Sequence, residues 1–358
     1  MADMAILNQQ LISATDLEDV VAVEAALRAG ADPNYCFPSG SRIMDHCADF
    51  GNFDVVKILL RYGADPSKGQ GIGRVALHYA IRGGGDDVVA MLIGAGCDPN
   101  AADEKGRTAL HCAAAYPFTS CLELVLTGGA NPNAVDINRE TPLHYIASLL
   151  DDVASAQLLL ARGADPAARD LHERTPLHLA AAEGNLLILQ ALLEAGAPIN
   201  HRDAAGRTAL HWAARVNDYD MTAALLIAGA DARAKDYAGI EPLELCVGPR
   251  HGWGVRAALA LLQTQIWFPA PALIALFRNV VRRASDVDSS ETLIAKLLQR
   301  EVLSRNLCAI DFKWLIVWNK RWNEMEGTTG FRPQTRAVLR LLENHGCPIP
   351  AELTAELL

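Results

Sequence analysis

The 358-residue chain has no run of 18 uninterrupted apolar residues, and its first residues, MADMAILNQQLISATDLEDVV, show no basic segment followed by an apolar one. The first lack excludes a membrane-spanning helix and the second a secretory leader, so the expectation is a cytoplasmic protein with no membrane partner. The eight cysteines form no Cys-x-x-Cys pair, and several fall inside apolar helical patterns, where a reduced thiol acts as a small hydrophobe. This usage predicts a reducing compartment and no zinc. Positive charge is scarce in residues 1–247, which hold 18 Lys and Arg against 32 Asp and Glu; residues 248–358 hold 14 against 10. Strong nucleic-acid binding requires many neutralised phosphates, so the charge argues against nucleic-acid binding by the first region and fits a basic protein partner better. The phosphate-binding GxxxxGK[ST], the metalloprotease HExxH, the GxSxG nucleophile elbow and the kinase motifs are all missing, so neither an enzyme nor a cofactor is expected.

What is present is a repeat. His78, His111, His144, His178 and His211 are spaced by 33, 33, 34 and 33 residues, with Asp45 one period before and Glu244 one period after. A second register agrees: Gly30, Gly63, Gly96, Gly129, Gly163, Gly196 and Gly229 open segments such as GADPN and GANPN. Both registers gain one residue between His144 and Gly163, which places an insertion near SLLDDVAS. Within a unit such as RTPLHLAAAEGNLLILQALLEAG, Thr175 caps a helix opened by Pro176, small Ala180 and Ala181 permit close packing, and LLILQALLEAG supplies a second helix ended by Gly196. One such unit cannot bury its own apolar face, so stability must come from stacking. The five histidines do not form a metal site. Successive members lie about 10 Å apart, the spacing of packed helices, whereas metal ligands converge within about 2.0–2.6 Å of the ion.

TPLHYIA at Thr141, TPLHLAA at Thr175, TALHCAA at Thr108 and TALHWAA at Thr208 resemble the signature of the ankyrin-repeat family. That resemblance implies an all-α solenoid of about seven repeats over residues 1–247, with an eighth beginning at IEPLELC, and histidines that hydrogen-bond the backbone of neighbouring turns. Departures are SRIMDHCA in repeat 2, GGGDD at Gly83–Asp87 in repeat 3, Pro117 in repeat 4, and a first repeat without the TPLH helix, expected to be a cap with polar residues outward. The resemblance further implies a non-enzymatic scaffold or adaptor, expected to be monomeric, that binds a protein on a concave face made by turn tips and first helices. The tip positions are Glu104, Lys105, Arg107, Ile137, Asn138, Glu140, Leu171, His172, Arg174, Arg207 and Tyr237; the helix ends add Arg82, Tyr116, Leu149, Glu183 and Arg215. Ile137, Leu171 and Tyr237 are the apolar tips expected to anchor a partner. Tyr145 and Trp212, each following a repeat histidine, are expected in the core.

Residues 248–358 lose the period and read as a C-terminal module of four or five helices that covers the end of the array, a further domain. Trp314, Trp318 and Trp322 share a helical stripe flanked by Lys313, Lys320 and Arg321, a pattern that can stack nucleobases or grip a partner but more often is core beneath snorkelling cations. RRAS at Arg282–Ser285 matches a basophilic kinase site. The tail CPIPAELTAEL resembles the helix closing a SOCS box, departing from it in a short spacer and in Arg340, and fits the start of an F-box about as well; either would imply a ubiquitin-ligase adaptor. A microbial protein acting on host proteins is a further reading for which the sequence holds no discriminator.

Overall fold

In the computed structural model, residues 2–38, 40–68, 74–116, 118–149 and 152–246 are described, together with Ala257, Ala258, Ala260 and Leu261. Helices follow one another in pairs: α1 (Ala2–Asp16) and α2 (Val20–Arg28), α3 (Ile43–Asp49) and α4 (Phe53–Arg61), α5 (Ala76–Gly83) and α6 (Asp86–Gly94), α7 (Ala109–Ala115) and α8 (Thr119–Thr127). The series continues with α9 (Pro142–Leu149) and α10 (Val153–Ala161), α11 (Pro176–Glu183) and α12 (Leu186–Glu194), α13 (Ala209–Val216) and α14 (Tyr219–Ile227), and closes with the short α15 (Pro242–Leu245). Among the described residues there is no strand, and Cys36 and Arg42 form an isolated antiparallel bridge. The architecture is an all-α repeat array.

Each first helix is only seven or eight residues long after the N-terminal pair, too short to be stable in water by itself. Two features rescue it. At its start the threonine adopts an extended conformation (φ −90°, ψ 172° at Thr108), while the histidine three residues on reaches back to the threonine backbone N–H, a capping box in which imidazole replaces the usual carboxylate. Along its length Ala and Leu are buried completely, as at Ala109, Leu110 and Ala114, and lie against the equivalent helices on either side. Removing a fully buried leucine such as Leu110 costs on the order of 2–5 kcal/mol. The second helices bury the alternate stripe, for example Val55, Val56 and Leu59 of α4, and end at glycines with positive φ such as Gly63 (84°).

The chain divides into two compact units, one of Met1–Leu179 with Leu187–Ala197, the other of Ala180–Leu186 with Pro198 onward. In the first, α3, α5, α7 and α9 pack in sequence, as do α2, α4, α6, α8 and α10. In the second, α13 packs on α14 and α15, and the side-chain oxygen of Asn217, which ends α13 at φ 64°, accepts a bond from Ala257 N–H (3.1 Å).

Repeat 1 differs from the sequence expectation in two respects. It has a first helix, α1, although it lacks the signature motif, and the outward side of that pair is mixed rather than polar. Ile6, Leu17 and Val21 are exposed there beside Gln9 and Gln10, and a groove of about 620 Å³ runs between α1 and α2. Along α1 Leu11 and Ala14 are buried, whereas Ile6 on the helix and Leu17 just after it stay exposed among the described residues. The C-terminal module from residue 248, the tryptophan stripe, Ser285, the SOCS-box-like or F-box-like tail and Pro117 lie outside the described residues, apart from the four helical positions Ala257, Ala258, Ala260 and Leu261.

Candidate functional site

Between successive pairs the chain makes a finger, a five-residue hairpin built on one aspartate. Asp103, Asp136, Asp170, Asp203 and Asp236 each accept two backbone N–H bonds from positions two and four residues later, all at 2.8–2.9 Å. The residue before the last is left-handed: Gly106, Gly206 and Gly239, but also Arg139 (φ 59°) and Glu173 (φ 56°). Neighbouring fingers join through backbone bonds, Ile137 N–H to Lys105 O (2.9 Å), Leu171 N–H to Asn138 O (2.8 Å) and, in the second unit, Tyr237 N–H to Ala205 O (3.0 Å). A side chain at a tip is therefore carried on a backbone fixed at both ends.

The histidines anchor the other end of the finger. Nδ1 of His111, His144 and His211 accepts the N–H of its own Thr108, Thr141 or Thr208 at 3.1 Å, which leaves Nε2 as the protonated nitrogen. That N–H donates to Glu140 O, Arg174 O and Ile240 O, each at the end of the next finger (3.0–3.1 Å). His78 does the same towards Arg107 O (3.1 Å), and His178 accepts from Thr175 N–H. Burial holds His78, His111, His144 and His211 below the usual imidazole range, so the neutral form is the structural one. Among the described residues no three His, Cys, Asp or Glu side chains converge as a metal ion would require. Burial also pushes the thiols up, to about 12 at Cys47, Cys97, Cys121 and Cys246 and to about 11 at Cys112, which makes them poor nucleophiles.

The residues singled out from the sequence divide into two groups. Ile137, Leu171 and Tyr237 are 60%, 56% and 73% exposed, and Lys105, Asn138, His172 and Glu183 are exposed with them. Arg107, Arg174 and Arg207 stand at the finger base, only 23–30% exposed, with their guanidinium groups on Asp103, Asp170 and Asp203 at 2.6–2.9 Å. Arg174 also meets half-buried Glu140 (3.5 Å). Burial alone would raise the Asp103 and Asp203 carboxyls, but the bonds from Arg107 and Arg207 outweigh it and hold both below the usual range. Arg82 binds Asp49 of the preceding repeat and lies over the Tyr79 ring (5.2 Å). Tyr116 is half-buried and stacked on Phe118 (6.1 Å).

Tyr145 and Trp212 correct the sequence expectation. Both are half-buried at the base of a finger rather than in the core, and each points its polar atom at an aspartate nine residues earlier, Tyr145 Oη to Asp136 (3.0 Å) and Trp212 Nε1 to Asp203 (3.1 Å). The cause is geometric. The residue after the histidine is rotated towards the finger, and a ring carrying a donor finds the finger aspartate there. Those aspartates are not among the residues singled out from the sequence, yet their spacing is as regular as that of the histidines.

No helix among the described residues is long and apolar enough to cross a membrane. A family model described as ankyrin repeats, in three copies, matches residues 11–103, 77–170 and 146–236. Among solved structures, the human ASB11 ankyrin repeat domain is 23% identical with a TM-score of 0.55, covering 63% of this chain and 99% of that one. The ankyrin repeat domain of Bcl-3, described as a unique member of the IkappaB protein family, is 28% identical with a TM-score of 0.52, covering 61% of this chain and 96% of that one. No curated protein matches significantly.

Proposed function

The chain belongs to the ankyrin-repeat family, a family of protein-interaction modules, and from that premise we propose that it is a non-enzymatic scaffold that binds a partner protein with its finger tips and the adjoining ends of its first helices. The observation that carries this reading is the placement of Ile137 and Leu171. Large apolar side chains stand in solvent on neighbouring fingers whose backbones are bonded to each other and to their aspartates. Exposed apolar groups on a fixed backbone lose little freedom on association, so their burial is available for affinity.

Alanine at Ile137 and Leu171, with the full chain tagged for proximity labelling, tests the proposal. The expected result is loss of the labelled partner at unchanged helicity; equal labelling would remove this surface from consideration. Arg174 and Arg207 are poor choices for that experiment, because their loss would loosen the finger itself.

A further inference from the structure

Two guanidinium groups lie over the ring of Trp212, Arg207 at 4.3 Å and Arg215 at 4.1 Å from its centroid. Arg207 spends its charge on Asp203, through Nε (3.0 Å) and Nη2 (2.9 Å), and the indole N–H takes the same carboxylate. Arg215 is different: no hydrogen bond or ion pair among the described residues reaches it, and burial and the like charge of Arg207 outweigh the distant pull of Asp203 and Glu183. The comparable cations of the first unit are neutralised, Arg82 by Asp49, Arg107 by Asp103, and Arg174 by Asp170 and Glu140.

The surface continues from this pair towards the finger tip. A Cβ at Gly206 would meet Tyr237 Cδ1 at 2.7 Å, so the Tyr237 ring rests on the backbone beside Arg207 while remaining largely exposed. One strip of the second unit thus presents an aromatic face, a stacked cation with its N–H edge unused, and no carboxylate bonded to that cation.

We propose that Arg215, stacked on Trp212, receives a carboxylate from an acidic segment of the partner protein, with Tyr237 covering an apolar residue next to it. Stacking fixes the guanidinium plane and leaves its N–H groups for two parallel bonds to a carboxylate, the geometry in which arginine is most selective. The net acidity of residues 1–247 favours a basic partner in general and repels a polyanion; Arg215 is a local reversal that a single acidic side chain fits and a nucleic-acid strand does not. The inference rests on the interaction-scaffold reading above and adds the chemistry of one contact.

The test uses the full chain as bait for a phage-displayed library of random peptides, followed by titration of the selected peptides against variants. Selected sequences should carry Asp or Glu beside a large apolar residue, and their affinity should fall about tenfold in Arg215→Gln and further in Arg215→Glu, with melting unchanged in the neutral variant. Arg215→Lys, which keeps the charge without the planar stack, should fall between wild type and Arg215→Gln. Peptides without acidic residues, or titrations indifferent to Arg215→Gln, would overturn the assignment. So would a single-stranded oligonucleotide bound as tightly and with the same dependence on Arg215. If Ile137→Ala and Leu171→Ala weaken binding while Arg215→Gln does not, the scaffold reading stands and this contact falls; if neither matters, both fall.

Discussion

Arg42 and Asp45 form an ion pair at 3.0 Å with side chains only 2% and 3% exposed, in the positions where later repeats carry the capping threonine and histidine. The pair reproduces the same closure with charges. Asp45 Oδ2 accepts the Arg42 backbone N–H (3.2 Å), as histidine Nδ1 does elsewhere, and Arg42 Nη1 reaches Asp65 O on the following loop (2.8 Å). Burial pushes the Asp45 carboxyl up and Arg42 opposes it, so neither charge is tolerable without the other. Asp45→Ala should therefore lower stability by about 3–5 kcal/mol. The double change Arg42→Thr with Asp45→His, which restores the motif of later repeats, should recover most of that loss. Chemical denaturation of the single and double variants measures both, and a double variant no better than Asp45→Ala would contradict the equivalence.

Acid should unfold the array in two stages. His78, His111, His144 and His211 are buried neutral, with pKa values below 6.5 in the folded chain. Above pH 6.5 neither state is protonated and their contribution is complete. As pH falls through 6.5 the unfolded chain takes up protons that the folded chain refuses, so stability drops by up to about 1.4 kcal/mol per pH unit for each histidine. Asp103, Asp152 and Asp203 are depressed below 3.8. Their share persists until pH nears 3.8 and is lost below it. Melting temperatures across pH 8 to 3 should show a first decline beginning near 6.5 that Thr141→Val and His144→Leu together reduce; a flat profile down to pH 5 would refute the assignment of a neutral tautomer.

Much of this was legible in the chain. The histidine and glycine registers located the first helices and the loops, because both residues answer a backbone requirement that recurs in every unit. The finger aspartates, equally periodic, make side-chain bonds to N–H groups two and four residues ahead, a local demand that leaves no apolar signature. Tyr145 and Trp212 look like core residues by size, and only the position of the aspartate nine residues earlier shows why their rings stop half-buried at the finger base. The mixed outer face of the first helix pair was hidden for another reason: a terminal cap is expected to turn polar residues outward, but exposure at Ile6 and Leu17 depends on what stands next to them, which no local pattern encodes.

Gly206 and Gly239 offer a matched pair for measuring the Tyr237 contact. Both have φ of +80°, so alanine at either carries the left-handed backbone cost, roughly 1–2 kcal/mol. At Gly239 an added Cβ meets nothing within 4 Å, whereas at Gly206 it would stand 2.7–2.9 Å from the Tyr237 ring and backbone nitrogen. Gly206→Ala should therefore destabilise more than Gly239→Ala and should speed amide exchange at Tyr237, whose N–H is bonded to Ala205 O. Equal effects of the two substitutions would mean that the ring moves aside freely.

In the loops that lead into the fingers, Asn34, Asn100 and Asn133 each tie their repeat to the next, and Asn133 does so with two short bonds, Nδ2 to Gly163 O (2.9 Å) and Oδ1 from Asp165 N–H (2.7 Å). Both partners lie in the following loop, so these bonds are purely interfacial in a one-dimensional array. The site is exposed and water can replace them, which limits the loss in Asn133→Ala to about 1–2 kcal/mol. Its effect should instead appear as lost coupling, since array cooperativity is set by neighbour interfaces. The urea transition of Asn133→Ala should broaden while its far-ultraviolet spectrum in water is unchanged, and Asn100→Ala combined with it should separate the transition into two. A single sharp transition in the double variant would show that apolar packing alone couples these repeats.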